Sequence, residues 1–354
     1  MKIAYVFYWN GSGDGVSMKI ATQIELWREA GHEVSAFQLT RSSAGAERDW
    51  NVFGFPRVRG TRRLAAAVAD SRPDLVYLRY DLFVPPLRRL VSHLPSVIEL
   101  NESGSEYRLR GRAVAAYDRV NRRLTLGAAE GLVGVTNEIV REQSVARPAV
   151  VIGNGIDLRR YEQLPPSRGE RPRAVFLGSS RLRWHGVDKI TELANLLQDV
   201  DFDVIGPARA NVPSPPPNLH VHGHLPPRDY RPLLARADVG IGTLAYHRTD
   251  LHEGSPLKTR EYLAYGLPVV IAYQDTDFAD AGHWFICELA NDEANVREGA
   301  GRVRTFIESM RGRRVPRADV ADRIDAAAKE RRRLEFFAEL LSSRRSARPE
   351  RRRS

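Results

Sequence analysis

Short apolar runs alternate with longer amphipathic stretches along nearly the whole chain, and that alternation restricts the fold more than any other feature. Residues 2–7 read as a strand, Gly11-Ser12-Gly13-Asp14-Gly15 as a flexible loop, Val16 to Ala30 as an amphipathic helix stopped by Gly31, and Glu33 to Phe37 as a second strand. A β–Gly loop–α–β opening is the start of a doubly wound parallel sheet. The glycines do not fall as G-x-G-x-x-G, so this is not the dinucleotide fingerprint. Helical patterns at 61–70, 85–93 and 113–129 then alternate with strands at Leu75–Leu78, Ser96–Leu100, Gly131–Val135 and Ala149–Ile152. The pattern restarts at Arg173–Gly178. The expectation is two doubly wound α/β domains, 1–156 and 173–320, with a linker at 157–172 rich in Pro, Arg and Glu. A helix at 321–342 and a basic, disordered tail at 343–354 follow.

The chain has 354 residues, 42% of them hydrophobic, enough for two packed cores. A single cysteine, Cys287, forbids an internal disulfide framework, and it lies in an apolar run that reads as a core strand. The first apolar run is too short for a signal peptide, and no window approaches a membrane span, so the expected location is the cytoplasm. Net charge is +10, and the tail supplies half of it, with six Arg against Glu350. Such a tail suits a solvated terminus first, then peripheral contact with an anionic membrane, or nucleic acid. The folded body shows no nucleic-acid motif and no aromatic–basic groove, so no specific nucleic-acid partner is expected.

The chemistry concentrates in E-G-S-P-L-K-T-R-E-Y-L-A-Y-G-L-P-V-V, Glu253 to Val270. Pro256 suits the first turn of a helix running from Leu257 to Tyr265, where a missing N–H costs nothing. Free N–H groups of Ser255, Leu257 and Lys258 at the positive helix end make an anion site, with the Lys258 ammonium beside it. Glu261, one turn further, can accept from a vicinal diol, and Glu253 in the preceding loop can read other hydroxyls. A phosphate cradle between two hydroxyl-reading carboxylates suggests a nucleoside diphosphate sugar. His247, Asp250, His252 and Glu253 match no common zinc spacing and read as a pocket loop rather than a metal site. Asp275-Thr276-Asp277 reads as a helix cap.

These residues, with E-x7-E followed by an apolar helix and the Gly-x-Pro-Val-Val exit, resemble the donor site of retaining GT-B glycosyltransferases, glycosyltransferase family 4 type. Gly153-Asn154-Gly155-Ile156-Asp157 resembles the crossing between that family's domains. The resemblance implies two Rossmann-like domains facing across a cleft, with the C-terminal helix crossing back to the first. It implies hexosyl transfer from a UDP-, GDP- or dTDP-linked sugar to a small molecule, glycan or lipid, with retention and without metal or cofactor. Glu253, Arg181, Lys258, Glu102 and Asn101 are its catalytic candidates. Asn101 stands where many relatives carry a histidine. Ser255, Pro256, Leu257, Glu261, His185, Ser179 and His224 would bind the donor. His185 replaces a lysine, so phosphate binding by a charged ring is expected only below pH ~6.5. Gly13, Asp14, Gly15 and Arg79 would line the acceptor side of the cleft. A sugar-nucleotide epimerase or hydrolase on the same fold is the alternative, and a nucleic-acid or membrane-binding protein using the tail is the alternative from another class.

Overall fold

Strand β1 (Lys2–Tyr8) shows why the first sheet is covered on both faces. Ile3, Tyr5 and Phe7 point to one buried side, and Ala4 and Val6 to the other. The structure, a computed structural model, describes residues 1–10, 15–41, 49–81, 84–104, 111–143, 145–179, 182–280 and 282–347. The chain falls into two compact units, Met1–Gly153 with Ala326–Ser354, and Asn154–Asp325. Among the described residues no helix is long and apolar enough to cross a membrane.

The first unit adds β2 (Glu33–Leu39), β3 (Asn51–Phe53), β4 (Leu75–Arg79), β5 (Ser96–Leu100), β6 (Gly131–Gly134) and β7 (Ala149–Val151). All pair in parallel, in the order β3-β2-β1-β4-β5-β6-β7. Helices α1 (Gly15–Glu29) and α11 (Ala326–Ala347) supply Ile20, Ile24, Trp27 and Phe337 to the core that holds Tyr5 and Tyr77. Helices α2 (Arg57–Asp70), α3 (Pro85–His93) and α4 (Arg112–Leu126) bury Leu64, Val68, Leu90, Val91 and Leu126 against Ala4, Val6 and Leu78, on the sheet's other face. A short α5 (Asn137–Arg141) is capped by Thr136, whose hydroxyl accepts from the Ile139 N–H at 3.1 Å. Strand β3 was not anticipated, because three residues with one charged neighbour show no periodicity.

The second unit holds β8 (Arg173–Leu177), β9 (Asp201–Ile205), β10 (Leu219–Gly223), β11 (Val239–Ile241), β13 (Val269–Ile271) and β15 (Ile286–Glu288), in the order β10-β9-β8-β11-β13-β15. A separate ladder pairs β12 (Glu253–Gly254) with β14 (Gln274–Asp275). Its helices are α6 (Val187–Leu196), α7 (Pro227–Arg236), α8 (Leu257–Ala264), α9 (Asn295–Met310) and α10 (Ala321–Ile324). In both sheets the order reverses beside the first strand of the unit, which opens a crevice at the carboxyl ends of β1 and β4 and of β8 and β11.

Two expectations about segment boundaries change. The stretch 157–172 is packed into the second unit: Leu164 N–H donates to Tyr265 O at 3.0 Å, the Tyr161 ring meets Tyr265 edge-on at 5.0 Å, and Arg317 donates to Leu158 O at 3.1 Å. The expected single helix near 321–342 is two, α10 and α11, parted by an extended Asp325 (φ −66°, ψ 125°). Helix α11 then runs through the start of the expected tail, and Arg344 pairs with Glu130. Arg348 to Ser354 lie outside the described residues.

Candidate functional site

Arg260 fixes the approach to α8. Its guanidinium is fully buried and donates to Asp275 at 2.5 and 2.8 Å, to Asp277 Oδ2 at 2.6 Å, to Ser255 Oγ at 2.8 Å and to Asn154 O at 3.0 Å. Asn154 N–H donates to Ser255 Oγ at 2.7 Å, and its Nδ2 donates to Ser255 O at 2.5 Å. The Asp275-Thr276-Asp277 stretch is therefore the counter-charge of a buried arginine, not a helix cap. Ser255 is a structural tie whose hydroxyl and carbonyl are both taken. The sequence hid this because the partners come from three separate segments.

Pro256 also moves. It occupies the N-cap position of α8 with extended torsions (φ −68°, ψ 138°), outside the first turn, and no side chain caps the helix. The amides at the positive end are thus those of Leu257, Lys258 and the next residue, aimed past a proline that cannot compete for them.

Lys258 lies against that end. Its Nζ is buried, 4.3 Å from the centroid of the Phe176 ring, and among the described residues it has no hydrogen-bond partner. Burial without a counter-charge holds the amine well below its ordinary pKa of 10.5. His185 stands across the same ring, T-shaped to Phe176 at 6.0 Å. Its Nδ1 accepts from Ser179 N–H at 2.9 Å, which places the ring proton on Nε2. Desolvation, and then the charge of Lys258, push the His185 pKa down to about 2. The expected protonation near pH 6.5 does not occur in this pocket. His185 is a neutral Nε2–H donor, and Lys258 brings an amine whose charged form burial disfavours. His185 Cε1 and Cδ2 proton shifts should accordingly stay flat from pH 5 to 8 in an NMR titration. A midpoint near 6.5 would place the ring in solvent instead.

Glycine makes this closeness possible. A Cβ on Gly178 would lie 2.3 Å from Phe176 Cζ and 2.9 Å from His185 Nδ1, and one on Gly206 (φ +108°) would lie 1.8 Å from Gly178 O. An aromatic wall continues from His185. Trp184 meets His185 at 4.3 Å and Tyr246 at 5.9 Å, and Tyr246 meets Tyr273 at 5.3 Å. Gly254 sits against both tyrosines. The wall therefore joins Ser179, His185 and Lys258 to the buried Glu253, whose strand β12 pairs with β14. None of these aromatic residues was singled out in the sequence, where rings at strand ends read as core.

Glu261 faces a different surrounding. Its Oε1 accepts from Tyr230 Oη at 2.5 Å. Burial raises its pKa, and burial first, then the Glu261 charge, raises those of Tyr161, Tyr230 and Tyr265. Among the described residues Oε2 takes no hydrogen bond, which leaves one acceptor for a ligand hydroxyl. His224 is exposed just beyond β10. Arg181, Gly13 and Asp14 lie outside the described residues.

In the first unit, Gly15 begins α1. Arg79 is mostly buried and pairs with Glu99 Oε2 at 3.2 Å. Glu99, fully buried, also takes Lys19 Nζ at 2.8 Å, and Arg333 stands 3.9 Å away. Lys19 donates on to Asn101 Oδ1 at 3.1 Å, and Asn101 Nδ2 is buried with no partner among the described residues. Glu330 accepts from Gln23 at 3.2 Å, from Trp27 Nε1 at 2.8 Å and from Arg333. The main-chain carbonyl of Glu102 accepts from Arg122 at 3.0 Å, and its charge helps hold Arg79 protonated. Asn101 and Glu102 thus sit at the lip of a buried ionic cluster that the sequence did not reveal.

Among the described residues no group of three or more His, Cys, Asp or Glu is placed to hold a metal ion. His247 meets Glu293 at 2.7 Å.

No protein-family model matches the chain, and no curated protein matches it in sequence. Solved structures do. The chain is similar to sucrose-phosphate synthase from Thermosynechococcus elongatus, 12% identical, with a TM-score of 0.75 over 97% of this chain and 100% of that one. Anabaena Alr3699/HepE, solved with UDP and glucose, is 15% identical, with a TM-score of 0.67 over 96% and 99%. The lipopolysaccharide outer core galactosyltransferase WaaB, in its apo form, is 12% identical, with a TM-score of 0.66 over 96% and 100%. The fold is GT-B. The same two-unit architecture carries all three glycosyl-transferring neighbours, end to end.

Proposed function

We propose that the protein is a glycosyltransferase that moves a hexosyl group from a nucleoside diphosphate sugar to an acceptor, with retention at the anomeric carbon. One observation carries the reading: a buried, partnerless Lys258 amine at the uncapped positive end of α8, beside a neutral His185 donor. An amine buried without a partner is costly to charge, and a diphosphate is the group that restores its charge. Neighbours of this fold solved with UDP, or with UDP and glucose, support a nucleotide as the occupant.

In this reading Lys258, His185 Nε2–H and the α8 amides stabilise the leaving diphosphate as its charge grows. Arg181 would add to them. Glu261 Oε2 takes the ribose hydroxyls, with Tyr230 holding the other oxygen, and Glu253 orients the sugar. Ser255 positions the loop rather than touching donor, and Leu257 contributes its amide. Leaving-group charge is met by cations and dipoles of the chain, so the reading asks for no metal. A front-face displacement, with the donor phosphate receiving the acceptor proton, fits a site that offers no trusted nucleophile. We assign acceptor recognition to the first unit, around Asn101 and Glu102.

A thermal-shift panel of UDP, GDP, ADP and dTDP, without metal and then with magnesium, tests this. A nucleotide that binds the folded chain raises Tm by mass action, about 2.7 kcal/mol at a hundredfold excess over Kd. A selective metal-free shift is the expected result, and Glu261→Ala should cut that nucleotide's affinity about tenfold with Tm of the free protein within a degree or two. No shift at millimolar ligand, or unchanged affinity in Glu261→Ala, overturns the donor assignment. Product analysis with the selected nucleotide sugar then separates transfer from hydrolysis or epimerisation.

A further inference from the structure

Helices α2, α3 and α4 form one layer on the first unit's sheet, with α3 packed against both neighbours. The outward face of that layer is basic. Arg59, Arg62 and Arg63 on α2, Arg88 and Arg89 on α3, and Arg112, Arg119 and Arg123 on α4 are all exposed. Among the described residues none of these guanidinium groups has an ion-pair or hydrogen-bond partner. The three helices carry only two acids. Asp118 is buried against Tyr80 Oη at 2.7 Å, and Asp70 lies at the very end of α2. Arg119 and Arg123 share a pocket with Asp118 and Glu142, but the exposed arginines of α2 and α3 have no such acid beside them among the described residues, and like charges gathered so repel one another, which argues for an external anion.

The same face is apolar where a solvated face would be polar. Val58 is 48% exposed, Tyr117 44%, Val120 66% and Leu124 44%, half of the large exposed hydrophobic residues described in the chain. Tyr117, Val120 and Leu124 recur at i, i+3 and i+7, so they make one stripe along α4, with Arg119 and Arg123 interleaved. Between α2 and α3 runs a groove of about 420 Å³ floored by Ala65, Pro85 and Leu90, with Arg62 and Arg89 on its walls.

We propose that this helix layer is a docking face for an anionic lipid bilayer. Lipid phosphates answer the arginines, and the headgroup–acyl boundary takes Val58, Tyr117, Val120 and Leu124. A nucleic acid would meet the arginines but leave the apolar stripe facing water, so the stripe decides for lipid. The inference stands on this face alone and does not depend on the sugar-transfer reading. It differs from the tail as the membrane contact, because the charge and the apolar surface here belong to folded helices.

Co-sedimentation of the full chain with vesicles tests it, comparing pure phosphatidylcholine with vesicles holding about 30 mol% phosphatidylglycerol, a typical anionic surface. Binding is expected only to the second, weakening as salt rises. Each arginine near such a surface is worth about a fivefold change in affinity, so Arg62→Ala/Arg89→Ala should bind about 25-fold more weakly. Val120→Ser/Leu124→Ser should also weaken binding several-fold, and a chain ending at Ala347 should keep most of it. All changes are at exposed positions, and an unchanged Tm confirms folding. Three results overturn the proposal: no binding to the anionic vesicles, binding lost with the tail alone while both surface variants behave as wild type, or equal binding to a DNA duplex that Val120→Ser/Leu124→Ser leaves intact.

Discussion

Lys258→Met is expected to raise Tm and remove most of the turnover in the same protein. Methionine fills the space over Phe176 but brings no amine to bury. Leaving a buried donor unsatisfied costs about 1–3 kcal/mol, so the variant should gain about 2 kcal/mol. For a unit of this size that is a rise of about 4–8 °C. The loss of a charged donor to the leaving diphosphate should lower kcat about 10²–10³-fold with the donor screen's best substrate. The pH dependence gives an independent reading. Folding holds the Lys258 amine well below 10.5 because it is desolvated. Between its folded value and 10.5 the unfolded chain binds the extra proton, so wild-type stability relative to the variant should climb as pH rises through that window. A bound diphosphate favours the charged amine, so nucleotide binding should take up a proton, read by calorimetry in two buffers of different ionisation enthalpy. A variant that melts lower and turns over normally would remove Lys258 from the site.

Glu99→Ala should produce the largest destabilisation. Glu99 is the anion shared by Lys19, Arg79 and Arg333. Its removal leaves those cations facing each other with Glu330, and Glu102 near Arg79, as the acids that remain among the described residues. Breaking a buried ion pair costs about 3–5 kcal/mol, or about 6–20 °C in Tm. Lys19 is already held to about 8, chiefly by desolvation, and should fall further. Its cations hold the Glu99 carboxyl below the usual range. Its contribution is therefore present above the ordinary carboxylate pKa and is lost only when pH falls well beneath it. Hydrogen exchange should place the damage in β4, β5, α1 and α11. A Tm within 2 °C of wild type would show that the cluster is wet and replaceable, against the full burial of Glu99.

The two clusters show what a sequence exposes. His185 was reached through the family resemblance and Pro256 was placed one position too far into the helix, whereas Lys258 and Glu261 stand in one short local pattern, a helix start with its flanking residues. The fold was legible for the same reason, since strand and helix periods are local and recur in both units. Arg260 with Asp275 and Asp277 was misread because D-x-D near a turn looks like a cap until its partner, 15 residues earlier, is known. Lys19 and Glu99 are 80 residues apart, and Gln23 and Glu330 are 307 apart, so no window could contain them. Arg79 fell between the two: its strand-end position was evident, but its counter-charge was hidden one strand away.

The second unit begins and ends at one point. Ile156 N–H donates to Ile324 O at 2.8 Å, and Ile156 bridges Asp325 in parallel. Residues 154–325 are therefore a cassette with its termini stitched together, set as a single insertion into the chain of the first unit. Such a cassette is the natural piece to express by itself or to exchange for another, and under the donor-site proposal its nucleotide preference would travel with it. The gap it leaves, from Gly153 to Ala326, is where a short glycine-rich join would restore an unbroken first unit.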